Sequence, residues 1–121
     1  MPGASCRFPE LDDVLAALEP VNARSQLIHG DLTGNVLFHD ELPPAIIDFA
    51  PQWRPTAFAS AIVVADALCW EGAPDTLAAD VDPQFLLRAL VYRAVTSRLF
   101  GAERVPEIEL ARRIAAACAS R

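Results

Sequence analysis

The chain has 121 residues, 53% of them hydrophobic, and a formal net charge of −6. That length is one domain's worth, able to bury roughly two-thirds of its unfolded surface, and the apolar content excludes a disordered chain. All ten basic residues are arginines scattered along the sequence, whereas binding to nucleic acid demands clustered cations.

In chain order, Leu11, Val14, Leu15 and Leu18 form a helical stripe opened by Pro9-Glu10 and stopped by Pro20. Three short strands follow: Gln26-Leu27-Ile28 ending at His29, Val36-Leu37-Phe38-His39, and Ala45-Ile46-Ile47. Asp40-Glu41-Leu42-Pro43-Pro44 is the turn of a hairpin between the last two. Pro55-Thr56 starts a helix through Trp70 that is apolar nearly all round, and so is expected to be the central buried one, with Trp70 in the core. Gly72 ends it, and a short helical turn is expected over residues 76–79.

Asp82-Pro83 is a cap and first-turn pair for a helix to Phe100. Its inner side carries Leu86, Leu87, Leu90, Val91, Ala94 and Val95, its outer side Arg88 and Arg98, and Gly101 is its stop. The last helix begins at Pro106, with Glu107 and Glu109 in its first turn and Arg112 and Arg113 later, as the helix dipole favours. Its stripe is Ile108, Ala111, Ile114, Ala115 and Cys118. The expectation is a single α+β domain over residues 1–121, mostly helical, without internal repeats or a linker.

Cys6, Cys69 and Cys118 are odd in number, widely spaced and lack a C-x-x-C pair, which suggests neither a disulfide framework nor a zinc site. The N-terminus lacks the basic and apolar regions of a signal peptide. The longest apolar run, residues 57–70, is interrupted by Asp66 and falls short of the ~20 residues a membrane span needs. A cytoplasmic protein is expected.

The chemistry concentrates in residues 29–49. His29-Gly30-Asp31, then Asn35, then Ile46-Ile47-Asp48-Phe49 place two acids and an amide within one stretch bounded by apolar strands. Phosphoryl transfer needs a carboxylate to orient the attacking hydroxyl and oxygen ligands to hold magnesium against phosphate. Magnesium takes one or two carboxylates and completes its octahedron with water and substrate phosphates. A four-residue turn over residues 40–43 would pair Val36 with Ile47 and set Asn35 opposite Asp48; a five-residue turn would shift the register and turn facing side chains to opposite sides. Taken singly, Asp31 and Asn35 each have a duller reading, since aspartate and asparagine also favour turns.

The run His29-Gly30-Asp31-Leu32-Thr33-Gly34-Asn35-Val36-Leu37-Phe38, followed by Ile47-Asp48-Phe49, resembles the catalytic loop and metal-binding segment of the aminoglycoside phosphotransferase family, which shares the protein-kinase-like fold with choline kinases. The resemblance covers the C-terminal lobe, from roughly Leu11 to the end of the chain. It implies Asp31 as the catalytic base, Asn35 as a magnesium ligand, Asp48 as the aspartate bridging metal and nucleotide phosphates, and His29 as a supporting residue that buttresses the loop. Mg2+ and ATP, or another nucleoside triphosphate, are the implied cofactor and co-substrate, and a small-molecule hydroxyl the implied acceptor.

The chain departs from that pattern. Leu32-Thr33-Gly34 is one residue shorter than the family's usual spacing, which Gly34 could accommodate with a positive φ. The family's further aspartate after the metal ligand has no clear counterpart, Asp66 lying far along. No lysine and no glycine-rich phosphate loop occur, and the residues before Asp31 read as a helix and a strand rather than a nucleotide-covering sheet.

These features define three expectations. The first is a partial or remnant phosphotransferase, inactive as an isolated chain and completed by an N-terminal lobe from a missing gene region or from another chain. The second is a noncatalytic homodimerisation or partner-binding module derived from the lobe. The third is a small magnesium-dependent phosphate-ester hydrolase using Asp31 and Asp48. Trp53 and Arg54 are expected to pack the loop onto the helices rather than to line a pocket, and His39 to be exposed. For Asp66 two places are open: buried against main-chain amides of the catalytic loop, or on the surface.

Overall fold

The structure, a computed structural model, describes residues 8–120; Cys6 and the segment read for a signal peptide lie outside them. A 3-10 turn over Pro9–Leu11 leads into the short helix α1 (Asp12–Ala16). Four strands follow, β1 (Ser25–His29), β2 (Val36–Leu37), β3 (Ala45–Ile46) and β4 (Pro51–Pro55). The helices α2 (Thr56–Trp70), α3 (Pro83–Leu99) and α4 (Pro106–Ala119) complete the chain, with a 3-10 stretch over Asp75–Asp80 between α2 and α3. The architecture is α+β and mostly helical. No helix among the described residues is long and apolar enough to cross a membrane.

The core is a helix stack. Leu86, Leu87, Ala89, Leu90 and Ala94 of α3 are buried between Ala61, Ile62 and Ala65 of α2 on one side and Ala111 and Ala115 of α4 on the other. The small residues on α2 and α4 let the leucines of α3 interdigitate at close range. Thus α3 takes the position between two helices that composition assigned to α2, while α2 lies between α3 and the β1–β4 ribbon. Leu11 and Val14 close the stack from the N-terminal side.

Polar ties fix the helix ends. The Asp82 carboxylate accepts from the Gln84 amide at 2.8 Å, a cap worth about 1 kcal/mol. The Gln84 side chain donates to the Ala17 carbonyl and accepts from the Glu19 amide, and Arg88 Nη2 donates to the Glu19 carbonyl, so the start of α3 grips the segment after α1. At the other end Arg98 meets Glu10 at 2.6 Å.

One side-chain placement on the helices overturns sequence expectation. Trp70 is 53% exposed instead of forming core; it is the last residue of α2, and its indole N–H donates to Glu107 Oε2 at 2.9 Å while Arg104 stacks on its ring. Glu107, in the first turn of α4 as the sequence places it, is only 2% exposed, and its Oε1 has no hydrogen-bond partner among the described residues.

The strands form two separate antiparallel pairs, β1 with β4 and β2 with β3. Strand β4 was missed because a five-residue run beginning and ending in proline argues against a strand; here both prolines sit at its ends, opposite His29 and Ser25. The β1–β4 ladder brings the chain back beside its starting point, so residues 30–50 leave and re-enter the fold at one place.

Candidate functional site

The site-bearing segment begins where β1 ends. The Gly30 amide donates to the Ala50 carbonyl at 2.8 Å, extending the ladder by one rung. A Cβ on Gly30 would lie 2.1 Å from Gln52 Nε2, so this position admits the close approach of Gln52 only because it has no side chain. Gln52 in turn donates to the Tyr92 hydroxyl of α3 at 3.3 Å.

Asp31 follows, with its amide donating to His29 Nδ1 at 3.0 Å. A main-chain N–H can only donate, which makes Nδ1 the acceptor and places the imidazole proton on Nε2. That atom donates to the Ile47 carbonyl at 3.1 Å, and the ring meets Phe49 edge-on at 5.3 Å between centroids. His29 therefore ties the Asp31 loop to the segment that carries Asp48.

The shortened loop is closed by a turn in which the Asn35 amide donates to the Leu32 carbonyl at 2.9 Å. Gly34 has φ +79°, a left-handed conformation that costs glycine little. Asn35 Nδ2 donates to the Asp31 carbonyl at 2.6 Å, which commits the amide nitrogen and leaves Oδ1 as the free atom. The Thr33 hydroxyl is buried with no partner among the described residues.

The hairpin does not take the register of the four-residue turn; residues 38–44 connect its two short strands. Val36 pairs with Ile46 and Leu37 with Ala45, so Asn35 faces Ile47, whose amide donates to the Asn35 carbonyl at 2.9 Å. Asp48 is therefore one residue past the position opposite Asn35. It has φ +48°, the one positive value among described residues other than glycine. The left-handed backbone, which aspartate tolerates better than most residues, marks the place where the chain leaves the β2–β3 pairing before entering β4.

The structure thus joins Asp31, Asn35 and His29 directly, and links Asp48 to them through its neighbour Ile47. As a ligand set, one amide oxygen and one carboxylate suit a magnesium ion that takes its remaining oxygens from water and phosphate. Among the described residues no group of three or more histidine, cysteine or acidic side chains could hold a metal ion.

One residue of the candidate site was not singled out from sequence. Arg93 of α3 donates from Nη2 to Asp31 Oδ1 at 2.8 Å, and from Nε and Nη2 to the two carboxylate oxygens of Asp66 at 2.9 and 2.7 Å. Asp66 is thus buried, but against this guanidinium rather than against main-chain amides. Burial alone would lower the Arg93 pKa, yet the hydrogen bonds to Asp66 and Asp31 outweigh it and raise the value. Periodicity carried the signal: Arg93 falls on the Leu86 and Leu90 stripe, and Asp66 one turn after Ile62, so opposite charges occupy the inner faces of two consecutive helices.

Trp53 and Arg54 do not pack the loop onto the helices. Trp53 is 65% exposed, and Arg54 Nη1 donates to the Trp53 carbonyl. Trp53 lies across the ladder from Leu27, itself 57% exposed, because the inward face of β1 is used by Ile28. Leu37, Phe38, Leu42, Ile46 and Phe49 are also more than half exposed, so large apolar side chains meet solvent along the segment that carries the polar site. His39 is exposed, its Nδ1 accepting from the Glu41 amide.

Comparison with protein-family profiles, with curated proteins and with solved structures found no match for this chain.

Proposed function

We propose that this chain is the catalytic-loop half of an ATP- and magnesium-dependent phosphotransferase acting on a small-molecule hydroxyl, similar to the C-terminal lobe of aminoglycoside phosphotransferases. The observation that carries the reading is the His29 bridge, which holds the Asp31 loop against the chain segment ending at Asp48. Asp31 accepts the proton of the attacking hydroxyl as its oxygen bonds to the γ-phosphorus and the bond to the β–γ bridging oxygen breaks. Asn35 and Asp48 are the residues that would hold the metal, which when bound neutralises charge on the phosphates.

With no lysine in the sequence, contacts to the α- and β-phosphates come from a polypeptide segment outside these residues, in cis or in trans. A second reading, a partner-binding module without turnover, is favoured by the exposed apolar side chains Leu27, Trp53, Phe38 and Ile46.

The test is a titration of the isotope-labelled protein with Mg-ATP followed by amide NMR. Weak binding with shifts centred on Asn35 and Phe49, lost in Asp48→Asn, supports phosphotransfer. Asparagine is the appropriate replacement because it keeps the tolerance for positive φ while removing the charge. Absence of any shift at millimolar Mg-ATP favours the module.

A further inference from the structure

We propose that Arg93 is the positioning residue of this site: clamped by the buried Asp66, it fixes the orientation of the Asp31 carboxylate. The three groups differ in how firmly they are held. The Asp66 side chain is 11% exposed and takes two guanidinium N–H groups, whereas Asp31 is 50% exposed and takes one. A two-pronged, buried pairing fixes the plane of the guanidinium as well as its place, so Nη2 presents its second hydrogen bond to Asp31 in a set direction. With Oδ1 engaged and no protein partner on Oδ2 among the described residues, one oxygen is held and the other is free to accept a proton.

The anchor comes from the helix core. Asp66 lies among the buried residues of α2, Arg93 immediately precedes the fully buried Ala94 on α3, and the α2–α3 packing sets the distance between them. Asp31, on a loop at the end of β1, gains through Arg93 a connection to that rigid stack that its own main chain lacks. Pinning a reacting group by a supporting shell is what makes a loop-borne carboxylate an effective base. The part this plays in phosphoryl transfer rests on the phosphotransferase reading; the orientation of Asp31 does not.

The experiment begins with the ligand-free protein. Three-bond couplings between the Hα and Hβ protons of Asp31 report whether its side chain occupies one staggered rotamer or averages among several. The wild-type protein should show one. The double variant Asp66→Asn, Arg93→Gln replaces the charged pair by neutral groups of similar shape, so no buried charge is left without a partner, and Asp31 should average. Arg98→Gln, which removes an arginine from the same helix, should leave Asp31 in one rotamer.

A single Asp31 rotamer in a folded double variant, or averaging in the wild-type protein, overturns the inference, whatever the chain does with ATP. If the wild-type protein hydrolyses Mg-ATP in an Asp31-dependent manner, the double variant should lose on the order of a hundredfold in kcat, with KM for Mg-ATP changed by less than about twofold. Equal losses in kcat and binding would also overturn it. Failure of Mg-ATP to bind the wild-type protein rejects the phosphotransferase reading alone, and the coupling measurement still decides the role of Arg93.

Discussion

His29 donates a hydrogen bond to the carbonyl of Ile47, a residue 18 positions further along the chain, at 3.1 Å. Because the same ring accepts from the Asp31 amide, one neutral imidazole organises both ends of the candidate site, and its two nitrogens can be replaced one at a time.

Asparagine places a polar atom near the position of Nδ1, and glutamine near that of Nε2. His29→Asn is therefore expected to keep hydrogen-exchange protection at the Asp31 amide while freeing the Ile47 segment, and His29→Gln to do the reverse. His29→Ala should lose both contacts and about 1 to 3 kcal/mol of stability, at roughly 0.5–1.5 kcal/mol for each net hydrogen bond. Amide exchange and urea unfolding measure the two effects.

Gly30 is a steric requirement. Its missing Cβ would lie 2.1 Å from Gln52 Nε2 and 2.9 Å from Cδ, so alanine displaces the Gln52 side chain and breaks its hydrogen bond to Tyr92. Gly30→Ala should cost about 1 to 3 kcal/mol, as overpacking does. Shortening the obstacle in Gly30→Ala, Gln52→Ser should recover part of it, a non-additivity that unfolding midpoints will reveal.

Cys69 is predicted to be an unreactive thiol. Burial pushes its pKa up to about 12 from 9.0, and the negative charges of Glu107 and Asp66 add to the effect. Alkylation by iodoacetamide at pH 8 should be at least about a hundredfold slower in the folded protein than in urea, since the thiolate is the nucleophile. A folded pKa above the unfolded one favours folding fully at low pH; that contribution falls away as pH climbs from about 9 towards 12. Cys69→Ser should flatten the alkaline limb of the stability profile.

Leu27 and Trp53 face each other across the β1–β4 ladder with both side chains largely in solvent. Replacing both by threonine keeps strand preference and should change stability by less than about 0.5 kcal/mol, as surface substitutions do. Binding of an apolar dye to the native protein should drop markedly, and its retention would show that the dye site is elsewhere.

The helices were legible because their ends are punctuated in the sequence. Pro55-Thr56, Asp82-Pro83 and Pro106 mark starts that the structure reproduces, and Gly72 and Gly101 follow the ends of α2 and α3. The strands were less legible. Two prolines disguised β4, and nothing in Asp40-Glu41-Leu42-Pro43-Pro44 shows that the connection runs over residues 38–44, a register that shifts Asp48 past Asn35. Trp70 was misplaced because a helix that is apolar nearly all round gives no phase at its last residue. Asp66 and Arg93 are the instructive pair: each alone is an anomaly on a buried stripe, and only the crossing of two helices shows that one explains the other.

Since His29 and Pro51 are paired in register, everything between them hangs from a single two-stranded stem. Such a stem makes the intervening stretch an exchangeable cassette: chemistry written there can be revised, lengthened or erased by substitution within it while the helical scaffold goes on folding by its own leucines. The cassette's first two residues are the exceptions, Gly30 held against Gln52 and Asp31 against the arginine reaching out from α3.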